Sequence, residues 1–192
     1  MMHIESFFPF IVFLAFIVIF YISGRKKNEV LKNLANHFNG SIAKFAFYPT
    51  LKGEYHGLRF SIALIPAAKS SPARLEISLI KTSFMKLRIY KEGFLSNLGK
   101  KLRIVREVKI NDESFDRDFL IFSNNPTQAM SYLSNETIKN SIRQLFSDGF
   151  VYVIATGKVI TIQKPNYILE KDVNIAFITK ILQVLISFSK GL

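Results

Sequence analysis

The sequence predicts an α+β protein, with an antiparallel sheet, helices packed on one face of it, and one N-terminal transmembrane helix before it. Three observations predict this class. An uncharged apolar run comes first, short segments that alternate apolar and polar residues follow, and segments with helical spacing come late. Strands and helices do not alternate as they do in parallel sheets, and no linker or repeat divides residues 25–192. We therefore expect one domain behind the span.

Residues 6–24 are the predicted transmembrane helix because they contain no charged side chain. At about 1.5 Å per residue the run covers roughly 28 Å, close to the hydrocarbon thickness of a bilayer. The alternatives are a cleaved signal peptide and a buried core helix. A signal peptide needs a basic start and small residues at its cleavage site, and this segment has neither. A core helix that is apolar all round needs a large domain to bury it.

The basic residues flanking this run predict its orientation. Arg25, Lys26 and Lys27 follow the run at once, and no Lys or Arg precedes it. The positive-inside rule then places these three juxtamembrane residues and residues 25–192 in the cytoplasm, with the N-terminus outside a cell membrane crossed once. The absence of cysteine agrees with this, since secreted domains often use disulfides.

The first element of the domain is a helix over residues 25–38, with Gly40 as its expected stop. Its apolar residues at helical spacing are Val30, Leu31, Leu34, Ala35 and Phe38. It either continues the membrane helix or follows a break at Gly24. Strands follow from residue 41 to residue 123, with a hairpin turn at His56 and Gly57. In the strand around residues 86–90, alternation predicts that Lys86, Arg88 and Tyr90 share one face, opposite Leu87 and Ile89.

The C-terminal part combines helices with one hairpin. Helices are expected near residues 126–134 and 136–148, and a hairpin near residues 150–164 turns at Thr156 and Gly157. A long last helix starts at about Asp172. Its apolar stripe, expected to pack on the sheet, consists of Ile175, Ile178, Ile181, Leu182, Leu185 and Phe188.

The net charge of +12 lies entirely in the first 111 residues, which hold 18 basic and 6 acidic side chains, against 8 of each afterwards. Such a surface either keeps the domain solvated, contacts a membrane, or binds nucleic acid. No nucleic-acid-binding module is recognisable, so no nucleic acid partner is expected. We expect a surface for anionic lipid headgroups or an acidic protein, formed by Lys86, Arg88, Lys100, Lys101 and Arg103.

No catalytic, cofactor-binding or metal-binding motif is present, and without cysteine there is no thiol chemistry. The three histidines are not grouped with acidic or hydroxyl residues. One acidic cluster stands out in this basic chain, formed by Asp112, Glu113, Asp116 and Asp118. Its spacing does not match a calcium loop, so a solvated turn with Phe115 and Phe119 pointing inward is preferred to a metal site. No cofactor is expected.

Two short elements carry a resemblance. "YPTLKGEYHGLRF" has Pro49, Leu51, Gly53, Tyr55 and Gly57 in a Pro-x-Leu-x-Gly-x-Tyr-x-Gly pattern. "FDRDFLIFSNNPTQAMSYL" has an FD-x-x-F-x-V-x-S…A-x-x-x-L pattern, with Ile121 in place of Val. Together they resemble bacterial families that have an N-terminal membrane helix and a cytosolic α+β domain. The resemblance implies architecture and carries over no catalytic residues.

These observations favour a single-pass membrane protein whose basic cytosolic domain binds a partner and does not catalyse. The alternative is an enzyme that acts on a membrane-proximal or lipid substrate through a site without a known motif. A largely apolar pocket with convergent polar groups and displaced pKa values would favour the enzyme. A structural subunit is a third class, which the lack of a small-xxx-small pattern in residues 6–24 weakens.

Overall fold

The computed structural model describes residues 8–45, 48–82, 85–93 and 107–192. The elements, in chain order, are α1 (Phe8–His37), β1 (Ser41–Phe45), β2 (Tyr48–Tyr55), β3 (Leu58–Ile65), β4 (Arg74–Ile80), β5 (Lys86–Lys91), α2 (Glu113–Asp118), β6 (Phe119–Ser123), α3 (Pro126–Leu133), α4 (Glu136–Ser147), β7 (Tyr152–Thr156), β8 (Val159–Pro165), α5 (Leu169–Asp172) and α6 (Ile175–Phe188). The α+β prediction is confirmed.

All eight strands form one antiparallel sheet in the order β1-β2-β3-β4-β8-β7-β5-β6. Its register aligns one apolar residue from every strand in a single row across the sheet. Side chains alternate along a strand, so this row fixes which face of every strand is the core face. The row consists of Ile42, Leu51, Ile62, Ile77, Ile162, Val153, Ile89 and Ile121.

The predicted turn at His56 and Gly57 is confirmed. Both residues have positive φ, 50° and 75°, and they connect the paired residues Tyr55 and Leu58. A two-residue turn of this kind matches the twist of an antiparallel hairpin, which explains the glycine. The second hairpin turns one residue later than predicted, because β7 includes Thr156 and β8 begins at Val159.

Helix α1 is continuous from Phe8 to His37, without a break at Gly24. It ends in a left-handed residue, but that residue is Asn39 (φ 47°) and not the predicted Gly40. Gly40 is required for a different reason, since a Cβ there would lie 2.5 Å from the carbonyl oxygen of Lys52. Among the residues that the structure describes, no helix is long and apolar enough to cross a membrane. The span over residues 6–24 stays a prediction.

The buried side chains of the helices join the core face of the sheet in one apolar cluster. In α1 these are Leu31, Leu34 and Ala35, and Phe38 directly after the helix is also buried, as the helical spacing predicted. The predicted Val30 is partly buried against the same cluster. In α6 the predicted stripe is buried from Ile178 to Phe188, together with Val184. Ile175 is a correction: it is 39% exposed, because it is the first residue of the helix and lies at the rim of the core.

Helix α1 runs along the strands of the sheet. The Phe38 ring contacts the Phe60 ring (centroids 5.3 Å apart) near the β2–β3 turn. Twelve residues earlier, about 18 Å along the helix, Lys26 pairs with Glu170 of α5 at 2.5 Å. Helix α5 follows the end of β8, so α1 reaches the domain where β8 ends and β4 begins. We call this end of the strands, marked by the paired residues Arg74 and Pro165, the α5 end of the sheet.

Candidate functional site

The candidate site lies on the face of the sheet turned away from the core cluster, which we call the open face. On β5, Leu87 and Ile89 are fully buried in the core, and Lys86 and Arg88 are exposed on the open face, as predicted. Tyr90 shares that face but is buried. The remaining predicted surface residues, Lys100, Lys101 and Arg103, lie outside the described residues.

The open face of the described strands is basic. Side chains alternate between the two faces along each strand, so residues an odd number of positions from those of the core row point to the open face. These include five cations and two carboxylates. One of these carboxylates, Glu54, lies directly opposite Arg59 on the neighbouring strand. The open face therefore has an excess of positive charge, which makes it complementary to an anionic surface. The cations are Lys52, Arg59, Arg74, Lys86 and Arg88, and the second carboxylate is Glu76.

A groove of about 550 Å³ lies on the open face, mainly across β4, β8 and β7. Its polar side chains come from adjacent strands because the register aligns Glu76, Gln163, Tyr152 and Tyr90 in one row. The loop before β4 adds Ser71, whose hydroxyl accepts a hydrogen bond from Arg74 (3.3 Å). Apolar side chains that include Ile154, Pro72 and Pro165 complete the groove.

Three aromatic rings form a ladder on this face: Tyr152 and Tyr90 are in the row, and Phe122, paired with Arg88, is diagonal to Tyr90. The centroid of Tyr90 lies 6.2 Å from that of Tyr152 on one side and 6.2 Å from that of Phe122 on the other. Burial, reinforced by the nearby Glu76 carboxylate, raises the pKa of Tyr152 to about 12. Burial also raises the pKa of Tyr90. Both phenols are therefore neutral at pH 7 and able to donate hydrogen bonds.

Glu76 is the one carboxylate among the groove's described lining residues. Burial raises its pKa, and the Arg74 guanidinium opposes that rise without cancelling it. The two side chains are two residues apart on one strand and face the same way. Their charges therefore offset each other inside the groove.

The groove and the predicted basic residues lie at different distances from the α5 end of the sheet. Arg74 and Pro165 of the groove mark that end, and Tyr90 pairs with Tyr152 nearby. Lys86 pairs with Thr156 at the opposite end of β7. Lys86 and Tyr90 are four positions apart on β5, which is a distance of about 13 Å along the strand.

The acidic cluster forms a short helix, α2, where a solvated turn was expected. Asp112 caps this helix by accepting from the Phe115 amide (3.1 Å) and pairs with the buried Lys139 (2.7 Å). The Lys139 hydrogen bond and then the Phe115 amide hold the pKa of Asp112 well below its usual range. Asp116 accepts from two backbone amides of the preceding loop. In the part of the chain described, no acidic or histidine group is arranged to hold a metal ion.

Phe115 within this helix and Phe119 directly after it are buried, as the sequence predicted. Their rings lie 4.6 Å apart, and Phe119 also contacts Phe146 of α4. The cluster is therefore structural in its described contacts: it caps α2 and joins the sheet to α4.

Sequence reasoning missed the groove residues Arg74, Glu76, Tyr152 and Gln163. The alternation of "RLEISLIK" placed Arg74 and Glu76 on one face, but nothing in the sequence indicated that β7 and β8 are inserted between β4 and β5. Tyr152 and Gln163 are brought to Glu76 by that pairing. Only the sheet order identifies the groove.

This arrangement defines an α+β domain with one antiparallel sheet whose described helices bury their apolar side chains on one face. A fold of this kind is found in the crystal structure of the mycobacterial trehalose monomycolate transport factor A, TtfA. The TM-score is 0.58, with 12% sequence identity over 88% of this chain and 93% of that one. At this identity the likeness shows the fold alone. No model of a known protein family matches the chain, and no curated protein matches it at a significant level.

Proposed function

We propose that this protein is a membrane-anchored binding protein. In this proposal residues 6–24 cross the membrane, residues 25–192 are cytoplasmic, and the open face binds an acidic surface of a partner protein. The observation that carries the proposal is the open face itself, which displays five cations against two carboxylates in the described strands. Lys86 and Arg88, on β5 next to the edge strand β6, are the two cations to which we assign the contact, and Lys100, Lys101 and Arg103 are its predicted extension.

The direction of α1 favours a protein over a lipid headgroup layer as the acidic partner. Helix α1 runs along the strands and reaches the domain at the α5 end. If its first half is the membrane anchor, the strands run away from the bilayer and the open face is perpendicular to the membrane plane. Lys86 is then about 13 Å further from the bilayer than Tyr90. Surface charges separated by more than about 8 Å are largely screened at physiological salt. A laterally placed protein meets these cations without reorienting the domain.

The fold likeness supports a membrane-associated role. TtfA is described as a trehalose monomycolate transport factor. We extend to this chain only an association with membranes, which agrees with the apolar run over residues 6–24.

An enzyme acting on a membrane-proximal or lipid substrate is the second candidate, because the groove combines apolar walls with a carboxylate of raised pKa. We favour binding because the described groove lining contains no histidine or lysine to act with Glu76. An assay of extracted membrane lipids incubated with the protein decides between them. Conversion of a lipid that Glu76→Gln stops would overturn the binding proposal.

The proposed topology predicts where a C-terminal fusion is active. A fluorescent reporter that folds only in the cytoplasm, fused after Leu192, should fluoresce, and an export-dependent phosphatase fused there should be inactive. The physical reason is the placement of Arg25, Lys26 and Lys27 directly after the apolar run. The reverse pattern of activities would contradict the topology.

The proposed surface predicts salt-dependent binding to an acidic polypeptide. The full chain in nanodiscs of neutral phosphatidylcholine should bind poly-glutamate at low salt and release it at high salt. The double variant Lys86→Gln, Arg88→Gln should weaken binding about tenfold or more, since it removes two adjacent cations from the contact. The matched control is Lys171→Gln, Lys190→Gln, which removes two exposed cations away from the open face.

Three other outcomes of this experiment would change the proposal. Equal losses in both double variants would show that net charge and not the open face drives binding. Binding to vesicles of anionic lipid in place of poly-glutamate would replace the protein partner by a headgroup layer. Binding to neither, with duplex and single-stranded nucleic acid also ignored, would mean that the cations only solvate the domain.

A further inference from the structure

We propose that the groove on the open face binds an uncharged sugar head group of a membrane lipid. The inference rests on the proposed membrane anchor, and it assigns a ligand to a part of the open face that the acidic partner does not need. It follows from the charge, hydrogen-bonding capacity, shape and position of the groove.

The charges in the groove favour a neutral ligand. Arg74 and Glu76 lie side by side on β4 and offset each other. An anionic ligand attracted by Arg74 meets the Glu76 carboxylate, and a cationic ligand attracted by Glu76 meets the guanidinium. A neutral ligand with both donors and acceptors bonds to both without either penalty.

The hydrogen-bonding groups of the groove are available. In the described part of the chain, the side chains of Glu76, Tyr90, Tyr152 and Gln163 make no hydrogen bond to another protein group, although Glu76 lies near Arg74. They present a carboxylate, two neutral phenols and an amide, all in one register row. A row that combines one acceptor with three groups that both donate and accept suits a ligand that carries several hydroxyl groups, because each hydroxyl also donates and accepts.

The aromatic ladder supplies the apolar part of the site. A sugar ring has hydroxyl groups around its edge and C–H groups on its faces, and C–H groups pack on the negative face of an aromatic ring. Tyr90 and Tyr152 place two such rings beside the free polar groups, with Ile154 and Pro165 next to them. Apolar walls with a few convergent polar groups are the usual composition of a small-molecule site.

Size and position point to a lipid head group. A volume of about 550 Å³ accommodates one or two sugar rings and not the acyl chains as well. Arg74 and Pro165 lie at the α5 end of the sheet, the end that α1 reaches through the Lys26–Glu170 pair. With the anchor in place the groove is the part of the open face nearest the bilayer, so the acyl chains remain in the membrane.

The test uses the full chain in phosphatidylcholine nanodiscs, prepared without sugar-based detergent. Binding is followed by isothermal titration calorimetry, because just two of the seven tyrosines, Tyr90 and Tyr152, are among the described lining residues and their emission cannot be separated from that of the others. Titration with maltose, lactose and sucrose should give a saturable change with at least one of them. Glu76→Gln and Tyr152→Phe should each weaken that binding about tenfold, because each leaves a buried polar contact unmade. The matched controls Glu54→Gln and Tyr48→Phe, outside the groove, should bind normally.

The outcomes separate this inference from the proposed function. No saturable response to any of the three sugars, or equal weakening in the matched controls, overturns the sugar site. The proposed function can hold even if the sugar site fails. In that case the double variant Lys86→Gln, Arg88→Gln would lose poly-glutamate binding and Tyr152→Phe would keep it. Saturable binding of glycerol phosphate or choline with no sugar response would assign the groove to a charged head group and would also overturn the inference.

Discussion

Replacing Ile181 by alanine is expected to lower the free energy of unfolding by about 2–5 kcal/mol. Ile181 is fully buried in the middle of α6, within the cluster that joins this helix to the core face of the sheet. The substitution removes apolar contacts and leaves a cavity that the surrounding strands cannot close completely. Guanidinium unfolding of the full chain, followed by circular dichroism in one detergent, measures the change.

Ile175→Ala is the matched control for this prediction. It makes the same chemical change six residues earlier in the same helix, at a side chain that is 39% exposed. We expect it to cost no more than about 1 kcal/mol, because little packing is lost. Equal effects of the two substitutions would contradict the packing of α6 and would favour the rival interpretation, an amphipathic helix lying on the membrane.

The elements of the domain were predictable because local patterns determine them. Alternation identified Leu87 and Ile89 as buried, and 3.6-residue spacing identified the core residues of α1 and α6. The α2 helix was missed because its six residues are too few to show a period. Its start is determined by one capping side chain, Asp112, which also contacts the distant Lys139 through its other oxygen.

The candidate site was predictable only in part. Strand alternation placed Lys86 and Arg88 outward together, because that information lies within five consecutive residues. The groove depends on long-range pairing, which joins Glu76 to Gln163 and Tyr152 to Tyr90. Sequence separations of this size leave no local signal, so the groove residues emerged only from the sheet order.

Contacts between residues distant in sequence also determine the role of one polar residue on the core side of the sheet. The sequence treats Lys164 as an ordinary polar residue of β8, but its position faces the core side of the sheet. There Lys164 meets Asp172 of α5, with Nζ and Oδ1 2.8 Å apart, and donates to the Asp148 carbonyl (2.6 Å). Its ammonium also lies 5.1 Å from the centre of the Phe177 ring. Residues of β8, α5 and α6 and the C-terminal cap of α4 therefore meet at one cation, whose side chain is 13% exposed.

Asp172→Ala is expected to lower the free energy of unfolding by about 3–5 kcal/mol. The Asp172 side chain is 2% exposed, and its second oxygen accepts from the Ile168 amide (2.8 Å), so it also holds α5 in place. Removing it leaves the largely buried Lys164 charge without its carboxylate, which costs more than the pair contributes when intact. The measurement is the same detergent-phase unfolding experiment.

The control for this prediction is Asp118→Ala, which removes an exposed carboxylate paired with Arg117 (3.2 Å) and should cost about 0–1 kcal/mol. Adding Lys164→Met to Asp172→Ala should recover part of the stability, because no buried charge is then left unpaired. Full recovery is not expected, since the Ile168 amide still lacks its acceptor. Because α5 also carries Glu170, the partner of Lys26, the single variant should loosen the contact between α1 and the domain. If Asp172→Ala cost no more than Asp118→Ala, the pair would be exposed in solution and α5 would not be part of the packed domain.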